Sequence, residues 1–181
     1  MKNPSVLVCD PSFTAWGWAV VYVGNLSDGI QVLDYGCIKT APEAKKRRIR
    51  QGDDRVRRTS EIIRELQRLE DKYRFSFVIG ELPHGSQNAK AAIMMGTVVG
   101  VLQTFAMLVG VPIEWYSEND AKKAVLGRNS ASKADIISEV ENRVNIKISG
   151  PKYAREAVAD SLAIYIAAQQ SSPTLQILRN R

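Results

Sequence analysis

The chain has 181 residues, 45% of them hydrophobic and 24% charged, which fits one soluble domain with a single sizeable core. Lysine and arginine outnumber aspartate and glutamate by 25 to 19, with a sequence pI near 9.4, so the long-range field favours a polyanionic partner such as nucleic acid. Two cysteines and one histidine leave no disulfide framework and no zinc site of the usual kind.

The opening residues turn directly into a short apolar run without the pattern of a secretory signal, and the protein is expected to stay in the cytoplasm where it is made. Val6-Leu7-Val8-Cys9 reads as a central strand that stops at the turn Asp10-Pro11-Ser12. Trp16 to Val23 and Ile30 to Ile38 read as two further strands joined by a hairpin-like connection, so three consecutive strands, antiparallel, are expected. Cys9 and Cys37 fall inside these runs and read as buried free thiols. Ala44 to Arg58 is strongly basic, and Lys45, Lys46, Arg47 and Arg48 at its start are candidates for tracking DNA strands. A solvated insertion would look the same. Helical periodicity then sets in, with Val56, Ile62, Ile63, Leu66 and Leu69 near one face as far as Tyr73.

Phe77 to Gly80 reads as a fourth strand that ends at Glu81. A polar turn follows, then an apolar helix from about Asn88 to Val109 and a strand at Ile113 to Tyr116. No charged residue occurs between Ala91 and Ile113, a length that would span a bilayer. Thr97, Gln103 and Thr104 interrupt it, and a buried helix, apolar all round, is the preferred reading. Ser117 to Asp120 and Ser132 to Asp135 each place a hydroxyl three residues before an acid, the mark of a capped helix start. A last helix is expected from about Tyr153 to Gln169. Residues 1–170 then form one α/β domain with a mixed sheet flanked by helices, and 171–181 a polar, basic tail.

A strand, crossover helix, strand unit makes a parallel pair whose sites collect at the carboxyl ends of the strands. Asp10 and Glu81 would therefore project from one edge. Glu156 and Asp160, four apart on the last helix, share a face. Singly, Asp10 also fits a turn residue, Glu81 a cap for the turn after it, and Glu156 a solvated charge. Asp160 interrupts an apolar run where an uncompensated carboxylate is costly, which favours a ligand role. Four converging acids in a basic chain ask for cations between them, Mg²⁺ or Mn²⁺. Two such ions about 3.5 to 4 Å apart suit in-line attack on a phosphodiester.

These residues resemble a known family. "VLVCDPSFTAWGWAVV" is similar to the opening strand, acid and returning strand of RuvC-like Holliday junction resolvases, and "FVIGELPHGSQNAKAAIMMGTVVGVL" to their second acid and long helix. "GRNSASKADI" resembles the segment bearing a family lysine, here Lys133, and "ADSLAIYIA" the helix of the last acid. Four motifs in order are more specific than any one alone. The compact chain and the "GSQNA" turn look like phage-type members. The resemblance implies an RNase H-like fold with a five-stranded sheet. It also implies a crossover junction endodeoxyribonuclease that nicks four-way DNA junctions in symmetric pairs, with Asp10, Glu81, Glu156 and Asp160 holding two Mg²⁺ ions. It implies a homodimer too, partly through the long apolar helix, where Gly96 and Gly100 admit another helix or the sheet.

Two positions depart from the better known bacterial members. Their fourth acid lies three residues before the last, where this chain has Ala157, and Glu156 is the nearest substitute. Their aromatic wedge, three residues after the second acid, is His84 here; the ring suits base stacking or phosphate contact, proton donation or a turn hydrogen bond. Gln87, Asn88 and Lys133 complete the expected DNA contacts, although Lys133 also fits a solvated first-turn lysine. A nuclease for RNA-DNA hybrids or other branched DNA and a catalytically silent junction binder share the acid pattern. A sugar-kinase-type phosphotransferase would need a second nucleotide-binding half and glycine-rich phosphate loops, neither of which is visible in this length, so no nucleotide cofactor is expected.

Overall fold

Alternation along the first strand divides the structure into two layers of core. The computed structural model describes residues 4–24, 29–43 and 49–180, so the expected DNA contacts Lys45, Lys46, Arg47 and Arg48 lie outside the described residues. β1 (Ser5–Asp10), β2 (Ala15–Tyr22) and β3 (Val32–Lys39) pair antiparallel, and β4 (Phe77–Glu81) and β5 (Ile113–Tyr116) join in parallel, giving the order β3-β2-β1-β4-β5. This is the mixed five-stranded sheet expected.

Because side chains alternate across a strand, Val6 and Val8 of β1 face one layer and Leu7 and Cys9 the other. β1 is covered on both faces, which is why it reads as an unbroken apolar run. The first layer holds α3 (Glu118–Leu126), α4 (Lys133–Val144) and α5 (Lys152–Ser171); the second holds α1 (Gln51–Tyr73) and α2 (Ala89–Val109). The capping boxes expected at α3 and α4 are both formed.

Four expectations need correction. Only Val98, Leu102, Phe105 and Ala106 of α2 are buried, while Ile93, Met107 and Leu108 are 53%, 72% and 81% exposed, so α2 is an apolar helix covered on one side rather than a buried one. The basic stretch enters α1 before Arg58, and that arginine is buried: its guanidinium donates to the Phe13 carbonyl and to Thr40 Oγ1, each at 2.7 Å, and lies 4.6 Å from the Phe13 ring. Arg58 thus ties the loop after Asp10 to the end of β3. Val56, expected on the apolar face of α1, is exposed, because the helix meets the sheet only from Arg58 onward. Past Ser171, where a polar tail was expected, Pro173–Arg179 forms α6 and buries Leu175 in the first core layer.

Cys9 is a buried free thiol, pushed up to about 12 by burial, and Cys37 is free but only half-buried.

The contact that sets the site is between α5 and β2. A Cβ built on Gly17 would fall on the Ala157 carbonyl and lie 2.9 Å from the Ala157 Cβ, so glycine is what lets the helix backbone touch the strand. Since Gly17 pairs with Asp10, this approach brings α5 over the end of β1. Gly17→Ala is expected to lower unfolding stability by about 1–3 kcal/mol, the usual range for overpacking. Urea unfolding checks it, and an unchanged midpoint would contradict the contact.

Candidate active site

Three of the four expected acids gather at one sheet edge. Asp10 is the last residue of β1 and Glu81 the last of β4, on parallel neighbours. Asp160 reaches them from α5, and the Lys133 ammonium contacts its carboxylate. A narrow cavity of about 50 Å³ opens between Glu81, Glu118, Lys122, Lys133 and Asp160.

Burial, then the charges of Asp160 and Glu118, push Asp10 up to about 7, with Lys133 opposing. Burial, then Asp10 and Asp160, push Glu81 up to about 8, again against Lys133. Asp160 is raised by burial against the pull of Lys133. Burial works against the Lys133 ammonium, but Asp160, Asp10 and Glu81 together raise it. Three carboxyl groups thus share the one Lys133 ammonium, with Glu118 nearby already paired to Lys122, an arrangement short of positive charge.

Glu156, one turn before Asp160, faces an adjoining cleft beside Lys133, Lys152 and Arg155, with Lys152 Nζ 3.8 Å from its carboxylate. Its charge still acts on Asp160. His84 is exposed on the turn after β4, 3.7 Å from Glu118. Gln87 is exposed on the same turn, and the Asn88 side chain accepts from the Ala91 N–H as the N-cap of α2.

Sequence reasoning missed Glu118. Its carboxylate accepts from Lys122 at 2.7 Å, a contact that with the Lys122 charge holds it below the usual range. It was read only as part of a helix start, yet it lies two residues beyond Tyr116, which pairs with Glu81. The carboxyl end of a parallel neighbour opens on the same edge, and that was the available signal.

The oxygen donors suit hard cations such as Mg²⁺ or Mn²⁺. Among the described residues no three acids, histidines or cysteines are close enough to share one ion, with Lys133 resting on Asp160. The fit is therefore one of charge and donor chemistry.

The family model described as "Crossover junction endodeoxyribonuclease RuvC" matches residues 6–168. The chain belongs to the RuvC family. The RuvC of Protochlamydia amoebophila is 29% identical over 94% of each chain, and that of Chlorobium phaeovibrioides is 31% identical over 81% of this chain and 72% of that protein. Among solved structures, Thermus thermophilus RuvC in complex with a Holliday junction substrate has a TM-score of 0.72 at 24% identity, covering 92% and 93% of the two chains. The yeast mitochondrial Holliday junction resolvase Ydc2 has 0.65 at 12% identity, covering 99% and 83%. Both share the RuvC fold seen here.

Asp10 and Glu81 bind protons more tightly folded than at their usual 3.8 and 4.5. Between about pH 4 and pH 8 the folded state carries more of these protons, so this pair costs stability increasingly as pH rises through that window. Asp10→Asn is expected to raise the melting temperature of the metal-free protein at pH 8, by about 2–4 °C for each kcal/mol relieved, and to change it little at pH 4. Equal effects at both pH values would contradict the shift.

Proposed function

We propose that this chain is an endonuclease that resolves four-way DNA junctions in recombination and repair by metal-dependent hydrolysis of phosphodiesters. The observation that supports it best is the half-buried cluster of Asp10, Glu81 and Asp160 at one sheet edge with too little positive charge. Asp10, Glu81 and Asp160, with Glu156 beside them, would hold two Mg²⁺ ions, or Mn²⁺. Bound there, such ions lower the pKa of a water and stabilise the leaving oxygen of a phosphodiester.

The protein's own groups do the rest. Partial burial of Asp10 and Glu81 weakens the screening of charge by bulk water at the reacting centre. Lys133, paired with Asp160 at rest, would turn to a phosphate oxygen once the carboxylates are otherwise neutralised. His84, exposed at the rim, would meet a base or phosphate on the strand that enters.

Paired nicks need two sites, and the exposed side of α2 suits a second copy of the chain. Gly96 and Gly100 look onto open space rather than the sheet, which favours the role of admitting another helix. Apolar Ile93, Met107 and Leu108 surround them along the helix.

End-labelled four-way junctions, linear duplex, flaps and RNA-DNA hybrids, incubated with and without Mg²⁺, test the substrate. Symmetric nicks confined to the junction are expected, lost without metal and undetectable with Asp10→Asn. Preference for the hybrid or flap would move the enzyme to a sister class, and tight junction binding without cutting would overturn catalysis. Leu108→Glu is expected to shift a dimer to monomer by light scattering and to uncouple the two nicks; an unchanged dimer would place the interface elsewhere.

A further inference from the structure

α5 crosses the carboxyl edge of the sheet strand by strand. Asp160 meets Lys133 beside β1 and β4, Ala157 lies on Gly17 of β2, and the first turn of the helix reaches the end of β3. There the Lys39 ammonium lies 4.5 Å from the centre of the Tyr153 ring. Tyr153 is 38% exposed and precedes Glu156 by three residues, so the two share a helix face. Lys152 and Arg155, near it in sequence, turn to other faces of the helix and pair with Glu156 and Glu141 at 3.8 and 3.7 Å.

A partly exposed aromatic ring with a cation over it belongs to neither core layer. Its chemistry is that of sites that hold single-stranded nucleic acid, in which bases stack on aromatic side chains while cations follow the backbone. Its position suits a strand whose phosphate sits at the acids. Asp10 pairs with Gly17 and Gly17 with Cys37, so Lys39 is two strands across and two residues further on. Ordinary strand spacings make that about 12 Å from Asp10, or about three stacked nucleotide steps.

We propose that Tyr153 and Lys39 form a nucleobase platform, on which an unpaired base of the DNA strand stacks against Tyr153 while Lys39 meets the adjoining phosphate. Every base has a π-face, so the platform accepts any sequence but requires a base that has left the duplex. It therefore selects branch points over intact duplex. The inference rests on the junction-cutting reading and adds to it a subsite on the side of the acids away from His84.

The test uses the full chain with Asp10→Asn, which leaves substrate uncut, and junctions carrying 2-aminopurine at successive positions about the crossover. Quenching is expected at one position within a few nucleotides of the crossover. Adding Tyr153→Ala should abolish it and weaken junction affinity about tenfold, Tyr153→Phe should keep both, and Lys39→Ala should weaken affinity with a shallower salt dependence. Equal quenching and affinity with Tyr153→Ala would overturn the platform alone. Failure of the Asp10→Asn parent to prefer junctions over duplex would overturn the junction reading and the platform with it.

Discussion

α5 lies so close to β2 that no residue but glycine fits at position 17 without movement, and the acids' encounter depends on that closeness. The helix passes from the end of β3, across Gly17, to the ends of β1 and β4, and each step places one polar group: Tyr153, then Glu156, then Asp160. Were α5 to stand at the usual distance of a helix from a sheet, Asp160 would retreat from Asp10 and the edge would carry two acids instead of three. Arg58 secures the other side of the same edge by tying the Phe13 carbonyl and Thr40 together from below, so the loop after Asp10 is held where the strand ends. A buried guanidinium is a costly device, and here two short hydrogen bonds and an aromatic face compensate it.

The closeness has an electrostatic cost. Burial with the charges of Asp160 and Glu118 pushes Asp10 up to about 7, burial with those of Asp10 and Asp160 pushes Glu81 up to about 8, and Lys133 can neutralise only one partner at a time. Lys122 is engaged by Glu118. The site is thus destabilised by what makes it useful, as happens where charge is gathered in advance of a ligand. A net charge of +6 draws in a polyanion, and the acidic centre supplies what the polyanion lacks, a place for cations.

Much of this was legible in the sequence because strands and helices end abruptly here. Asp10 and Glu81 each follow an apolar run with no intervening polar residue, so their positions at strand ends could be read directly, and the interruption of the α5 apolar run by Asp160 marked it in the same way. What escaped reading was what depends on tertiary approach. Gly17 looked like an ordinary strand residue, because the backbone that touches it is 140 residues away in the chain. Arg58 looked like one more cation in a basic run, since charge alone does not say which arginine turns inward. The α2 helix has no charged face, so hydropathy could not show that one side would lie open. Glu118 was masked by the capping signal around it, two roles being carried by adjacent residues.

Calorimetric titration of Mg²⁺ and of Mn²⁺ into the metal-free protein at pH 7, in buffers of different ionisation enthalpy, decides whether the carboxylate cluster is a metal centre. Saturable binding with net proton release is expected, because the acids near 7 and 8 must ionise as cations enter, and Asp10→Asn should lose both the binding and the release. Equal metal binding by Asp10→Asn, or none by either protein at millimolar concentration, would contradict a metal centre built on this carboxylate cluster.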